Sequence, residues 1–384
     1  SLSLNGALSA ATNITLTNSG TGAASYLVDK AATADGEFLL ASGSGADLIV
    51  INDVVTATGQ AAITTGAGSD VVRIRVDAAL ISRGADVVIN LGADDDVADV
   101  LEVTGDLSAS VGLYVLNTGA GSTTMTLQGS KVTTGRDGMT VDLSSGQDIV
   151  TWTDTTLTSK DFLTVKLNDG NDRFVQQGGS ITVAKATLID AGAGADAVYL
   201  ANGAIRSATN TLNLGADADY LLMQDMTALG GTSIIYGGAV IDTVDINRLP
   251  GQGQTDTLLI DGGADSDQVN ILTHGSATGA TKAVNYNIKV FDSGTTSQGS
   301  DRLVVLGTAE RDTFLSREGY VALLHGTPEQ ILANASARPA TAERISYNSN
   351  IDGGLLVSGQ AGDDLFVSDD NSTVMVLDGG EGSD

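Results

Sequence analysis

"DAGAGADAVYL", residues Asp190–Leu200, sets small residues around two glycines ahead of Asp196 and then runs straight into an apolar segment. The arrangement returns as "ASGSGADLIVI" (Ala41–Ile51), "TTGAGSDVVRI" (Thr64–Ile74), "LNDGNDRFVQ" (Leu167–Gln176), "LGADADYLLM" (Leu214–Met223) and "DGGEGSD" (Asp378–Asp384). Aligned on the turn aspartate, the series reads Asp47, Asp70, Asp96, Thr123 in place of an acid, Asp148, Asp172, Asp196 and Asp219. Its spacing of roughly 23 to 27 residues lies in the range expected of a solenoid. After Asp219 the rhythm changes: Asp256 and Asp267 lie 11 residues apart, as do Asp301 and Asp312, and Asp364 and Asp384 end the series.

The flanks keep the same register. Two residues beyond the aligned position stand Ile49, Val72, Ala98, Met125, Val150, Phe174, Val198, Leu221, Leu258, Val269, Leu303, Phe314 and Phe366. Seven residues before it stand Leu40, Ile63, Ile89, Leu116, Val141, Val165, Ile189, Leu212, Leu249, Ile260, Val305, Val357 and Leu377, with one break at Gly294 before Asp301. In "DVVRIRVD" the period is two, which predicts a strand with Val72, Ile74 and Val76 inward and Arg73 and Arg75 outward. Each unit therefore reads strand, Gly-rich turn, strand, with a further strand such as "GGSITVA" (Gly178–Ala184) between turns.

These features predict an all-β chain: a right-handed parallel β-helix with coils of roughly 24 residues, whose aliphatic columns form a core no single coil could bury. Residues 1–250 carry one Gly/Asp turn per coil. Residues 251–384 continue with 11-residue spacings that imply two turns on opposite edges of a flatter coil, interrupted at 273–300 and 315–350. "TPEQILANA" (Thr327–Ala335) has an N-cap Thr followed by Pro, the signature of one short helix.

Composition narrows the function. With 19 Lys+Arg against 47 Asp+Glu, the formal net charge is −28. Without bridging cations such a surface holds neither nucleic acid nor anionic lipid, whose phosphates are bound through Lys and Arg. No apolar run is long enough to span a bilayer, so membrane insertion is not expected. The absence of Cys excludes disulfides and thiolate metal sites, and fits an exported bacterial protein. The chain starts without Met and stops inside a repeat, so it reads as a segment of a longer protein.

Stacked coils would pile the aligned aspartates about 4.8 Å apart along one edge. Neighbouring carboxylates at that rise repel by about 1 kcal/mol in water, and by several times that near a protein surface. Calcium suits such a column, because it takes 6–8 oxygen ligands in tolerant geometry and glycine turns present backbone carbonyls. A metal-free reading stands beside it: Asp after Gly is a common turn residue whose side chain bonds local backbone.

"GGEGSD" (Gly379–Asp384) matches the G-G-x-G-x-D core of the RTX, or hemolysin-type, calcium-binding repeat, and "NDGNDRF", "GAGSDVV", "GAGADAV", "GQAGDDLF" and "GTAERDTF" resemble variants of it. The chain also resembles giant repetitive bacterial surface proteins that carry such repeats. The resemblance implies Ca2+ held between coils by the sixth-position Asp and main-chain carbonyls, with shorter β-roll coils toward the C-terminus. Carried over residue by residue, that role falls on Asp47, Asp70, Asp96, Asp148, Asp172, Asp196, Asp219, Asp267, Asp301, Asp364 and Asp384. The departures are clear: family repeats are far shorter than the period here, Thr65, Ala191 and Leu214 replace the first Gly, and Asp94, Asp217 and Asp265 replace the fourth-position Gly.

The expected function is a structural calcium-binding segment of a secreted or cell-surface protein, such as a stalk, filament, adhesin or surface layer. Self-association into a filament and contact with extracellular polysaccharide are the partners that go with it. The alternative is a polysaccharide-binding or polysaccharide-modifying β-helix of the lyase or epimerase kind. No catalytic residue is assigned. His274 and His325 are expected to be exposed loop residues, and Trp152 a core or coil-end filler rather than a sugar platform.

Overall fold

Up to about residue 200, three short strands and a glycine turn make each coil, and the alternation of side chains decides which way they face. The strand Leu48–Ile51 buries Ile49 and Ile51 and leaves Leu48 and Val50 partly open. It is followed by Val54–Ala57 and Ala61–Thr64, after which the chain turns through Thr65–Asp70 and begins again at Val71–Ile74. The structure, a computed structural model, describes residues 1–92, 98–251, 257–276, 284–294, 299–326, 331 and 342–384. All named elements among them are β-strands, and the fold is an all-β parallel solenoid with about 24 residues per coil. The chain divides into two compact units, residues 1–197 with 203–208 and residues 198–202 with 209–384.

In the first unit, equivalent strands of successive coils pair in parallel without slip. Val72 stands beside Ile49 on one side and Leu101 on the other. The column continues through Met125, Val150 and Phe174, all without solvent exposure. A second column runs Ile51, Ile74, Val103, Leu127 and Trp152. Each such side chain removed from water contributes roughly 1.5–3 kcal/mol. Trp152 meets Phe174 edge-on at 5.2 Å, so it fills the core as the sequence suggests. Val76 departs from expectation. The strand ends at Ile74, the chain turns with Ala78 N–H donating to the Arg75 carbonyl, and Val76 is left 64% exposed. Arg73 and Arg75 do face outward, where both meet Glu102 of the next coil.

In the second unit the parallel series is Tyr220–Gln224, Thr243–Asn247, Gln268–Leu272, Arg302–Leu306, Gly354–Ser358 and Met375–Asp378. A second series, Ala228–Ala239, Thr257–Gly263, Tyr286–Phe291 and Ala342–Tyr347, also pairs in parallel. The interruption predicted at 315–350 contains a hairpin. Thr313–Arg317 pairs antiparallel with Tyr320–Leu324, which pairs antiparallel with Ala342–Tyr347. Thr313–Arg317 also runs parallel to Leu365–Ser368. The short helix read at Thr327–Ala335 lies, but for Ile331, outside the described residues. Among the described residues no helix is long and apolar enough to cross a membrane.

Candidate cation-binding turns

The Gly-rich turns sit directly upon one another, and that stacking decides their composition. A Cβ on Gly43 would overlap the carbonyl oxygen of Gly20, and one on Gly66 would overlap that of Gly43. Gly194, at φ 122°, meets the carbonyl of Gly170 in the same way, so both the space and the backbone angle demand glycine there.

Behind each turn an aspartate points back into the coil, and its Oδ1 accepts the backbone N–H of the equivalent residue one coil earlier. In the first unit Asp47 N–H donates to Asp70 (2.7 Å), Asp70 N–H to Asp99 (2.8 Å), Thr123 N–H to Asp148, Asp148 N–H to Asp172 (2.6 Å), and Asp172 N–H to Asp196 (2.7 Å). In the second unit Asp219 N–H donates to Asp242 (2.9 Å), Asp242 N–H to Asp267 (2.8 Å), Asp267 N–H to Asp301 (2.8 Å) and Asp301 N–H to Asp352 (3.2 Å). A separate ladder on another turn runs from Ser276 N–H to Asp312 (2.6 Å), Asp312 N–H to Asp364 (2.7 Å) and Asp364 N–H to Asp384 (2.8 Å). Asp301 and Asp312, 11 residues apart, fall one on each of these two ladders, while Asp256 of the other such pair lies outside the described residues.

Asp47, Asp70, Asp148, Asp172 and Asp196 thus share one ladder, Asp219, Asp267 and Asp301 a second, and Asp364 and Asp384 a third. Asp96 lies outside the described residues, and the ladder place assigned to it belongs to Asp99. Three extra residues in "GADDDVAD" (Gly92–Asp99) displace the register; Leu101, two beyond Asp99 and fully buried, is the signal that identifies the right acid. Asp242, Asp312 and Asp352 were also missed as site residues. Asp242 stands 23 residues after Asp219 and 25 before Asp267, within the period.

The ladder side chains, apart from the exposed Asp352 and Asp384, are inside the protein. Asp47, Asp70, Asp99, Asp148, Asp172, Asp196, Asp219, Asp242, Asp267, Asp301, Asp312 and Asp364 are all buried. One oxygen of each is used by the amide ladder, and what meets the other varies. Asn117 Nδ2 donates to Asp99 Oδ2 (3.1 Å) and to Thr123 Oγ1 (2.9 Å), which explains how a coil without a carboxylate fits. Thr308 supplies its N–H (2.7 Å) and hydroxyl (3.1 Å) to Asp312 Oδ2. Among the described residues no donor reaches the buried Oδ2 of Asp47, Asp172, Asp242, Asp267 or Asp364. At Asp242 and Asp267 that oxygen lies 2.6 Å from where a Cβ on Gly237 or Gly262 would stand, so glycine there keeps the space before the oxygen clear.

An uncompensated buried carboxylate is costly, and burial is the leading cause that pushes Asp148, Asp172, Asp242, Asp267 and Asp301 up to about 7. Neighbouring carboxylates add to it at Asp172, Asp267 and Asp301. Burial likewise raises Asp312 and Asp364. Near neutral pH Asp148, Asp172, Asp242, Asp267 and Asp301 sit at the point where a proton or a cation decides their state. One acidic group is tighter than the rest: oxygens of Asp267, Asp292 and Asp301 lie within 4.8 Å of one another, all three residues buried.

Compared with family models, with curated proteins and with solved structures, the chain matches none. The site is read from its own geometry alone.

The two histidines overturn the expectation of exposed loop residues. Their side chains are 17% and 2% exposed, and both turn onto the fully buried Glu343, at 3.4 Å each. Glu343 also accepts the His274 N–H (2.9 Å), and His325 Nε2 lies 2.9 Å from the Val284 carbonyl. Glu343 belongs to Ala342–Tyr347, the strand that receives the hairpin, so this cluster ties the insertion to the coil at His274. Sequence distance hid it: 69 residues separate His274 from Glu343.

Proposed function

We propose that this chain is a structural, calcium-binding segment of a secreted or cell-surface bacterial protein, in which Ca2+ neutralises the acidic turns and makes the solenoid rigid. The observation that carries the reading is the set of buried Oδ2 atoms at Asp47, Asp172, Asp242, Asp267 and Asp364, each with one oxygen tied to an amide and the other without a donor. Calcium is a hard ion that takes carboxylate and carbonyl oxygens, and the stacked turns place both kinds of oxygen side by side. The net charge of −28 supports the same reading, since a chain so acidic is strained by its own repulsion until counterions arrive. Folding then couples to metal, because a preformed site does not exist in the unfolded chain. The role is mechanical rather than catalytic: the acids repeat in register, whereas an acid–base pair is a local exception to its surroundings.

The test is circular dichroism of the full chain at neutral pH during titration with CaCl2 and then with chelator. The expected result is β-signal and melting temperature that rise with calcium and fall on chelation. Identical spectra and melting in both conditions would remove the reading.

A further inference from the structure

In four consecutive coils of the first unit, the residue directly after the strand that leads into the turn is buried beside the ladder. It is Asn117 after Gly112–Leu116, Leu143 after Gly138–Asp142, Leu167 after Phe162–Lys166 and Ala191 after Ala186–Asp190, and all four are buried. These are apolar or, at Asn117, a donor to the ladder carboxylate; in the second unit the register gives the place to Gly237 and Gly262 in the two coils before Asp292. After Tyr286–Phe291 the same place is taken by Asp292, only 4% exposed. A carboxylate here can donate nothing when ionised, and it faces two further carboxylates, Asp267 and Asp301.

The amide partners of this trio are already assigned. Asp292 Oδ1 accepts from Gly263 N–H (3.2 Å) and Gly294 N–H (2.9 Å). Asp301 Oδ1 accepts from Asp267 N–H, and Asp267 Oδ1 from Asp242 N–H, both at 2.8 Å. Asp267 Oδ2 remains, buried and without a donor among the described residues, while Asp267 itself is 4% exposed. No Lys or Arg forms an ion pair with any of the three among the described residues. Three acids thus meet in a buried place that the two preceding coils leave to glycine.

We infer that Asp267, Asp292 and Asp301 form a discrete internal site for one hard divalent cation of the calcium class, built by placing a third carboxylate where the preceding coils of this unit have glycine. The inference deepens the proposed function and rests on it, but it names one site that does not follow from the repeat, since Asp292 lies outside the ladder. Dimensions agree: ligand oxygens about 2.4 Å from a central Ca2+ stand at most about 4.8 Å apart, the limit within which these oxygens fall. Mg2+, at about 2.0–2.1 Å and with a demand for octahedral geometry, requires a tighter set. A divalent ion offsets two of the three charges and supplies the missing partner of Asp267.

The experiment is calorimetric titration of the full chain with CaCl2, together with thermal unfolding in calcium and in chelator, for the wild type and for Asp292→Asn. The variant should bind one calcium fewer per chain, with the loss in the tightest class of sites. In chelator it should melt at a higher temperature than the wild type, because a neutral amide relieves the repulsion. Titration with MgCl2 should show at least tenfold weaker binding. Unchanged stoichiometry with a lower melting point in chelator would overturn the site while leaving the ladder reading intact, and a wild type that takes up no calcium would overturn both. If Asp292→Asn does not fold, Asp301→Asn, whose Oδ1 still accepts the Asp267 amide, must show the same loss of one site or the inference fails.

Discussion

At Asp172 a single side chain has two distinct duties. Its Oδ1 receives the Asp148 amide, and its Oδ2 is buried with no donor among the described residues. The two are separable by substitution. Asp172→Asn retains an acceptor for the amide while removing the charge, whereas Asp172→Ala leaves a buried N–H unmet. Urea unfolding in chelator at neutral pH should place the alanine variant about 1–3 kcal/mol below the wild type, with the asparagine variant at or above it. Equal losses in the two variants would mean that the carboxylate charge is needed even without metal. Gly194 makes the complementary point about backbone: at φ 122° beneath a stacked carbonyl, Gly194→Ala should lower the melting temperature more than an alanine at Gly129, where a Cβ meets nothing. Comparable shifts in the two would argue against close turn stacking.

At the scale of elements, each coil resolves the same problem with different residues. Where Thr123 lacks a carboxylate, Asn117 bridges from its hydroxyl to Asp99 and joins two neighbouring coils. Asn117→Leu should therefore destabilise by about 1–3 kcal/mol in a chemical unfolding curve, through loss of the Asn117 bonds to Asp99 and Thr123, although the same place holds leucine at Leu143 and Leu167. A neutral outcome would show that the Asp99 oxygen finds another partner. Most of this layer was legible in sequence, because a period of two within strands and about 24 between turns leaves few alternatives. Ile49, Val72, Met125, Val150 and Phe174 stack as their spacing predicts. What escaped reading had a physical origin in each case. Extra residues before Asp99 moved the true ladder acid away from Asp96. Asp242 was passed over when the spacing changed after Asp219. Glu343 finds His274 and His325 only once the chain has returned through a hairpin, a relation no local period encodes. Asp292 was invisible because its place in the coil, not its neighbours in sequence, gives it meaning.

For the whole molecule, the consequence is an unusual response to acid. A carboxylate stabilised by partners has a lowered value in the folded state and loses its contribution as pH falls. Here Asp148, Asp172, Asp242, Asp267 and Asp301 are raised from 3.8 to about 7, so the folded chain binds more protons than the unfolded chain between those values. Stability in chelator should then be greatest on the acid side and should decline as pH rises from about 4 to about 7. Calcium replaces the proton, holds the carboxylates in their charged form, and should flatten that decline. Melting temperatures recorded across this range, with and without calcium, would show two diverging curves; parallel curves would mean that metal and ladder are independent.

The most direct measurement is the number of calcium ions bound per folded chain at pH 7.5, determined by calorimetry on protein first stripped with chelator, with the melting temperature followed on the same samples. Several ions bound per chain, accompanied by a marked rise in melting temperature and by proton release into the buffer, is the outcome that buried, half-satisfied carboxylates require. A chain that binds none and melts at the same temperature with and without calcium would contradict the account.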